Sequence, residues 1–165
     1  MFFILLLNLH YISLLITIQN PPNMPKLNPY LNFNGNSEEA FNFYKSVFGG
    51  EFAAVMRFKD TQQGANLSGQ DKEKIMHIAL PVGNDTILMA SDVLESMGHK
   101  LEVGNNFYIS MNTESKEEAD RLFNGLSAGG KIEMAMTDTF WGDYFGMFKD
   151  KFGTQWMISF NKAQH

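Results

Sequence analysis

Asn36-Ser37-Glu38-Glu39-Ala40-Phe41 and Ser115-Lys116-Glu117-Glu118-Ala119-Asp120 are two versions of one helix start, and the rest of the chain arranges itself around them. The first segment closes at Gly49-Gly50 and the second at Gly129-Gly130. Ala40, Phe43, Tyr44, Val47 and Phe48 recur at helical spacing in the first; Ala119, Leu122, Phe123 and Leu126 do so in the second. Each is an amphipathic helix with one apolar face, and Phe43 and Phe123 are expected to be buried on matching faces. Asn36 and Ser115 stand three residues before Glu39 and Glu118, the arrangement of a capped N-terminus with a reciprocating acid. The acids also suit the positive end of the helix dipole. Glu38, Glu39, Glu117 and Glu118 therefore read as helix-start residues, not as catalytic carboxylates.

The flanks repeat as well. Asn28-Pro29-Tyr30-Leu31-Asn32-Phe33-Asn34 precedes the first helix and Asn106-Phe107-Tyr108-Ile109-Ser110-Met111-Asn112 the second. Both alternate, so both predict strands with one buried face. Leu31, Phe33, Ile109 and Met111 face the helices; Tyr30, Asn32, Tyr108 and Ser110 face the other way. Further strands follow each helix, over Glu51–Phe58, Ile75–Val82 and Thr86–Ser91, then over Lys131–Met136, Tyr144–Phe148 and Gln155–Phe160. Gly83-Asn84-Asp85 and Asp150-Lys151-Phe152-Gly153 are hairpin turns. Asp60 to Lys74, polar and rich in Gln and Gly, reads as a mobile loop. Leu88-Met89-Ala90-Ser91 matches Trp156-Met157-Ile158-Ser159. The pattern is an α+β fold of two tandem β-α-β-β-β modules, at about 26–92 and about 105–161.

Residues 1–23 do not share this pattern. Phe2 to Ile18 is mostly Phe, Leu and Ile. No Lys or Arg precedes Lys26 and no small-residue cleavage pattern follows, as a secretory signal would require. The run is shorter than the about 20 apolar residues of a membrane span and contains Asn8, His10 and Ser13. It reads as an upstream extension, with the globular pattern starting at Met24; an anchor, a signal or a structural element are the alternatives. The composition is that of a globular chain: 165 residues, 44% hydrophobic and 19% charged, with a net charge of −5. Without a basic stripe, nucleic acid is not an expected partner. The absence of cysteine excludes disulfides, thiolate metal sites and a cysteine nucleophile, and suits a cytoplasmic, reducing compartment. Fifteen Phe and eleven Met serve either an aromatic and thioether core or an adaptable apolar pocket.

The repeat, together with Pro29-Tyr30-Leu31-Asn32-Phe33-Asn34-Gly35-Asn36, Met76-His77-Ile78-Ala79-Leu80, Leu88-Met89-Ala90-Ser91-Asp92, Thr139-Phe140-Trp141-Gly142 and Asp150-Lys151-Phe152-Gly153, resembles the vicinal oxygen chelate superfamily of glyoxalases, bleomycin-resistance proteins and dioxygenases. More narrowly it resembles the PhnB-like branch, often labelled demethylubiquinone methyltransferase. The resemblance runs from Lys26 to about Asn161. It implies a curved mixed sheet around a central pocket, and homodimers. It also implies four metal-ligand positions, which fall on Asn28, Met89, Asn106 and Met157. Two amides and two thioethers do not suit a borderline divalent ion, so no cofactor is expected, with a divalent metal held in another way as the open alternative.

His77 alternates with Ala79 and Pro81, away from the apolar set Met76, Ile78, Leu80 and Val82, so it points into the cup. There it could act as a general base or polariser, as a lone metal ligand, or as a hydrogen-bonded structural histidine. Trp141 and Asp143 either pack in a turn or cap the pocket and contact a ligand. With Tyr30, Asn32, His77, Met89, Tyr108, Ser110 and Met157 they make up the candidate pocket. Trp156 shares parity with Ile158 and Phe160 and belongs to the core. Methyl transfer from S-adenosylmethionine is not expected, because no G-x-G turn is present; P-loop, Rossmann and serine-triad motifs are absent too. Two readings remain: a metal-free protein that binds a small apolar or aromatic molecule, or a glyoxalase- or dioxygenase-like lyase or oxidoreductase that uses His77 with a metal in an atypical position.

Overall fold

The structure, a computed structural model, describes residues 25–67, 69–83 and 85–161; the apolar leader lies outside these. The strand-helix-strand-strand-strand order appears twice. Module one holds β1 (Tyr30–Phe33), α1 (Ser37–Phe48), β2 (Ala54–Arg57), β3 (Ile75–Val82) and β4 (Thr86–Asp92). Module two holds β5 (Ile109–Asn112), α2 (Lys116–Ser127), β6 (Lys131–Asp138), β7 (Asp143–Lys149) and β8 (Gln155–Asn161). Each module folds into a four-stranded mixed sheet, ordered β1-β4-β3-β2 and β5-β8-β7-β6. The first strand of each runs parallel to the last, Tyr30 opposite Met89 and Ser110 opposite Met157. The other pairs are antiparallel. The crossover helix allows that parallel closure, since parallel neighbours cannot be joined by a tight turn.

Strand alternation sorts side chains as expected. Leu31 and Phe33 are buried while Tyr30 and Asn32 are exposed. The helix faces need correction. In α2, Ala119, Leu122, Phe123 and Leu126 are buried. In α1 the buried residues are Ser37, Ala40, Phe41 and Tyr44, and Phe43 is only half-buried. Phe43 and Phe123 are therefore not equivalent, and Tyr44 is the burial partner of Phe123. The reason is that α1 is covered on two sides. Phe41 meets the edge of Phe33 in its own module, whereas Tyr44 and Phe48 meet Trp156, and Phe43 meets Phe152, in module two.

The caps also differ between the helices. Ser115 accepts the Glu118 backbone N–H at 3.1 Å, and the Glu118 carboxylate accepts that of Glu114 at 3.0 Å. Asn36 makes no side-chain cap. Buried Asp92, from the end of β4, takes over: it accepts the backbone N–H groups of Gly35, Ser37 and Ile75 at 2.9–3.0 Å. A residue 55 positions away ties the start of α1 to its sheet. Gly49, at φ 81°, ends α1 with its N–H on the Lys45 carbonyl. Gly130 lies so close to the backbone of Lys149 and Asp150 that a Cβ would sit 2.3 Å from a carbonyl oxygen.

One hydrophobic core spans both modules. Its polar centre is buried Asp150, which accepts hydrogen bonds from the Tyr44 hydroxyl (2.7 Å), the Trp156 indole (2.9 Å) and the backbone N–H groups of Phe152 and Thr154 (2.9 Å each). Burial, and then the Asp150 charge, push the Tyr44 hydroxyl pKa far above its ordinary value. The helices approach closely where Gly125 meets Val47, with room for no Cβ. The segment read as a mobile loop instead forms three short 3-10 turns, Phe58–Asp60, Gln63–Asn66 and Gly69–Lys72. Phe58 is buried beneath them, Gly64 packs directly on the Phe58 carbonyl, and Arg57 pairs with Glu38 across the segment's base. No helix of the described residues is long and apolar enough to cross a membrane.

Candidate functional site

Because the helices and the inner faces of both sheets share one core, the outer faces carry the side chains that the alternation left over. On sheet one these are Tyr30, Asn32, His77, Met56 and Met89, set side by side by the register Tyr30–Met89–Ala79 and Met56–His77. The Tyr30 ring stacks on the His77 imidazole at 5.9 Å and 23°, with the phenol oxygen 3.5 Å from Nδ1. Ser91 donates to Asn32 at 3.3 Å. His77 therefore stands on the outer face with a phenol for a neighbour.

On sheet two the outer face carries Ser110, Met157 and Met147 in one row, and Asn112, Ser159 and Phe145 in the next. Asp143 sits at the end of this face. It accepts from the Asn161 amide at 2.6 Å, the Trp141 indole at 3.2 Å and the Ser159 hydroxyl at 3.3 Å. Trp141 stands edge-on to both Phe140 and Phe145, at 4.9 and 5.9 Å. β5 and β6 are the two edges of this sheet, and the Tyr108 hydroxyl, just before β5, donates across to the Glu133 carboxylate on β6 at 2.6 Å. That bond holds the Tyr108 pKa above the ordinary tyrosine value.

Between β1 and β5 runs an open groove of about 1210 Å³, lined from both modules by Asn28, Tyr30, Tyr108, Ser110, Leu122 and Trp156 among others. Three of the nine candidate pocket residues, Tyr30, Tyr108 and Ser110, meet there. Asn32, His77 and Met89 stay on sheet one, and Trp141, Asp143 and Met157 on sheet two; Tyr30 joins the groove to His77. Sequence reasoning passed over Asn112, Ser159 and Phe145. The first two were legible, since both matched strands end in a serine with the parity of the methionine, and Asn112 repeats Asn32. Glu133 was hidden by the irregular register between Ile132 and Met134.

The four positions that the resemblance assigns to metal ligands hold two amides, Asn28 and Asn106, and two thioethers, Met89 and Met157. The Asn28 side-chain oxygen is engaged by the Ile87 backbone N–H at 2.8 Å, and Met89 and Met157 offer thioethers. Among the described residues no group of three His, Cys, Asp or Glu side chains is placed to hold a metal ion.

The paired modules, each a four-stranded mixed sheet with one crossover helix, define the fold of glyoxalase and bleomycin-resistance proteins. Solved structures with those descriptions match it, such as a glyoxalase-related enzyme from Fulvimarina pelagi (TM-score 0.52, 18% identity, 84% of this chain and 89% of that one). More narrowly, the chain belongs to the PhnB-like family described as 3-demethylubiquinone-9 3-methyltransferase, whose model matches residues 25–159. Protein YjdN of Escherichia coli (strain K12) is 34% identical over 84% of this chain and 97% of its own length. Protein PA1353 from Pseudomonas aeruginosa has a TM-score of 0.73 and 41% identity, covering 84% of this chain and 98% of that one. A putative 3-demethylubiquinone-9 3-methyltransferase, PhnB protein, from Bacillus cereus has a TM-score of 0.65 and 26% identity, over 82% and 99%.

Proposed function

We propose that this protein binds a small apolar or aromatic molecule in the groove between its modules, without a standard divalent metal, as a cytoplasmic homodimer. The observation that carries the reading is the groove. Its walls are mainly apolar, and a few polar residues (Asn28, Tyr30, Tyr108, Ser110) come from both modules, the composition of small-molecule sites. The outer sheet faces continue it with thioethers and rings, surfaces that adapt to varied apolar ligands. A second copy laid over these open faces would exclude water from them. The methyl transfer in the family's description gains no support from this chain: the strand-to-helix turns hold one glycine, Gly35, or none, and cannot form a glycine-rich cofactor cradle.

The Tyr30–His77 contact supports a second reading, in which the pair moves a proton on a bound substrate. One comparison separates the two. An aromatic probe such as a naphthalene derivative should bind the native protein and protect it against heat. His77→Ala should weaken that binding while leaving the melting temperature of the free protein nearly unchanged. A large loss of stability with affinity intact would make His77 structural. Turnover of a substrate that His77→Ala abolishes would establish the enzyme.

A further inference from the structure

Asp143 is the carboxylate most densely hydrogen-bonded on the outer face of sheet two. Its three side-chain donors, Asn161, Trp141 and Ser159, are all neutral, whereas Asp138 on the neighbouring strand pairs with Lys116. A half-buried negative charge is thus fixed in place, and among the described residues no cation pairs with it. Beside it stand three aromatic rings: Trp141, half exposed at 51%, Phe140, almost fully exposed at 98%, and Phe145. Ring faces attract cations through their negative quadrupole. A carboxylate held rigidly by hydrogen bonds contributes its charge without further ordering cost. An apolar ligand alone would leave this charge desolvated and unpaired, which is unfavourable.

We infer that the ligand of this site carries an organic cation, a substituted or quaternary ammonium group, seated between the Asp143 carboxylate and the Trp141–Phe145 rings. The inference rests on the small-molecule reading, carried from the groove along Asn112 and Ser159 to Asp143 on the outer face of sheet two, and narrows its ligand class. The protein has two tryptophans, and Trp156 is buried in the core, so a fluorescence change on binding at this face reports Trp141.

The experiment uses the full chain, with choline and its neutral isostere 3,3-dimethylbutan-1-ol as probes. Choline should bind at least about tenfold more tightly than the alcohol. Asp143→Asn keeps the shape and removes the charge, and should abolish that preference. Trp141→Leu, at an exposed hairpin where folding is not at stake, should weaken choline and spare the alcohol. Equal affinity for the two probes, or a preference that persists in Asp143→Asn, would overturn the inference and leave the small-molecule reading standing. The same holds if neither compound binds while the naphthalene probe does. If the naphthalene probe fails as well, the broader reading falls.

Discussion

Tyr44 is the residue on which the two modules lean most directly. Its ring packs on Phe41, Phe152 and Trp156, and its hydroxyl satisfies a buried carboxylate at Asp150. Tyr44→Phe keeps the ring and removes one donor from Asp150. It should cost about 1–3 kcal/mol at neutral pH, as expected for a buried acceptor that loses a partner, measured by urea unfolding. The pH dependence has a definite sign. The folded-state pKa of Tyr44 is raised, so its contribution is whole below the ordinary tyrosine value of about 10 and declines as pH climbs above it, where the unfolded chain ionises and the folded one does not. Native stability should therefore fall more steeply above pH 10 than that of Tyr44→Phe. Parallel curves would show that the hydroxyl is not held in its protonated form.

At the scale of elements, the helices look alike in sequence and are packed differently. α2 presents Phe123 to its own sheet, edge-on to Phe148 at 5.1 Å, beneath a strand position where only Gly146 fits. α1 presents Phe43 to the rim, against Phe152 and under the Lys151 ammonium at 4.6 Å. Phe123→Ala opens a cavity in the core and should cost about 3–5 kcal/mol. Phe43→Ala trims a half-buried ring and should cost roughly 1–2 kcal/mol. Chemical denaturation of both variants checks the order; equal losses would contradict the packing described for α1.

For the whole molecule, two expectations follow from open faces and poor metal donors. Sedimentation equilibrium should give twice the chain mass. Removing metal should change nothing: the purified protein should carry no stoichiometric transition metal, and chelator should leave its melting temperature where it was. A site built from Asn28, Met89, Asn106 and Met157 lacks the three or four imidazole, thiolate or carboxylate ligands of a zinc centre. One metal per chain by elemental analysis would overturn the metal-free reading, and a monomer at all concentrations would remove the second copy from it.

The sequence by itself determined the modules, the number of strands and which strand residues face away from the helices. Those depend on local periodicity and on helix and turn signals, which repeat in the chain and survive without knowledge of neighbours. Leu31 and Phe33 inside, Tyr30 and Asn32 outside, and Trp156 in the core all follow from parity. Tertiary structure alone decided the matters that depend on distant partners. Asp92 replaces Asn36 as the cap of α1 because β4 ends beside it. Phe41 is buried and Phe43 is not because Phe41 packs inside its own module on Phe33, whereas Phe43 meets only the rim of module two at Phe152 and Lys151. The polar stretch after β2 folds into 3-10 turns because Phe58 and Arg57 find partners beneath it. The candidate pocket is likewise divided between a groove and two sheet faces. Alternation assigns a side chain to a face, but where that face lies depends on how the helices of two modules pack into one core.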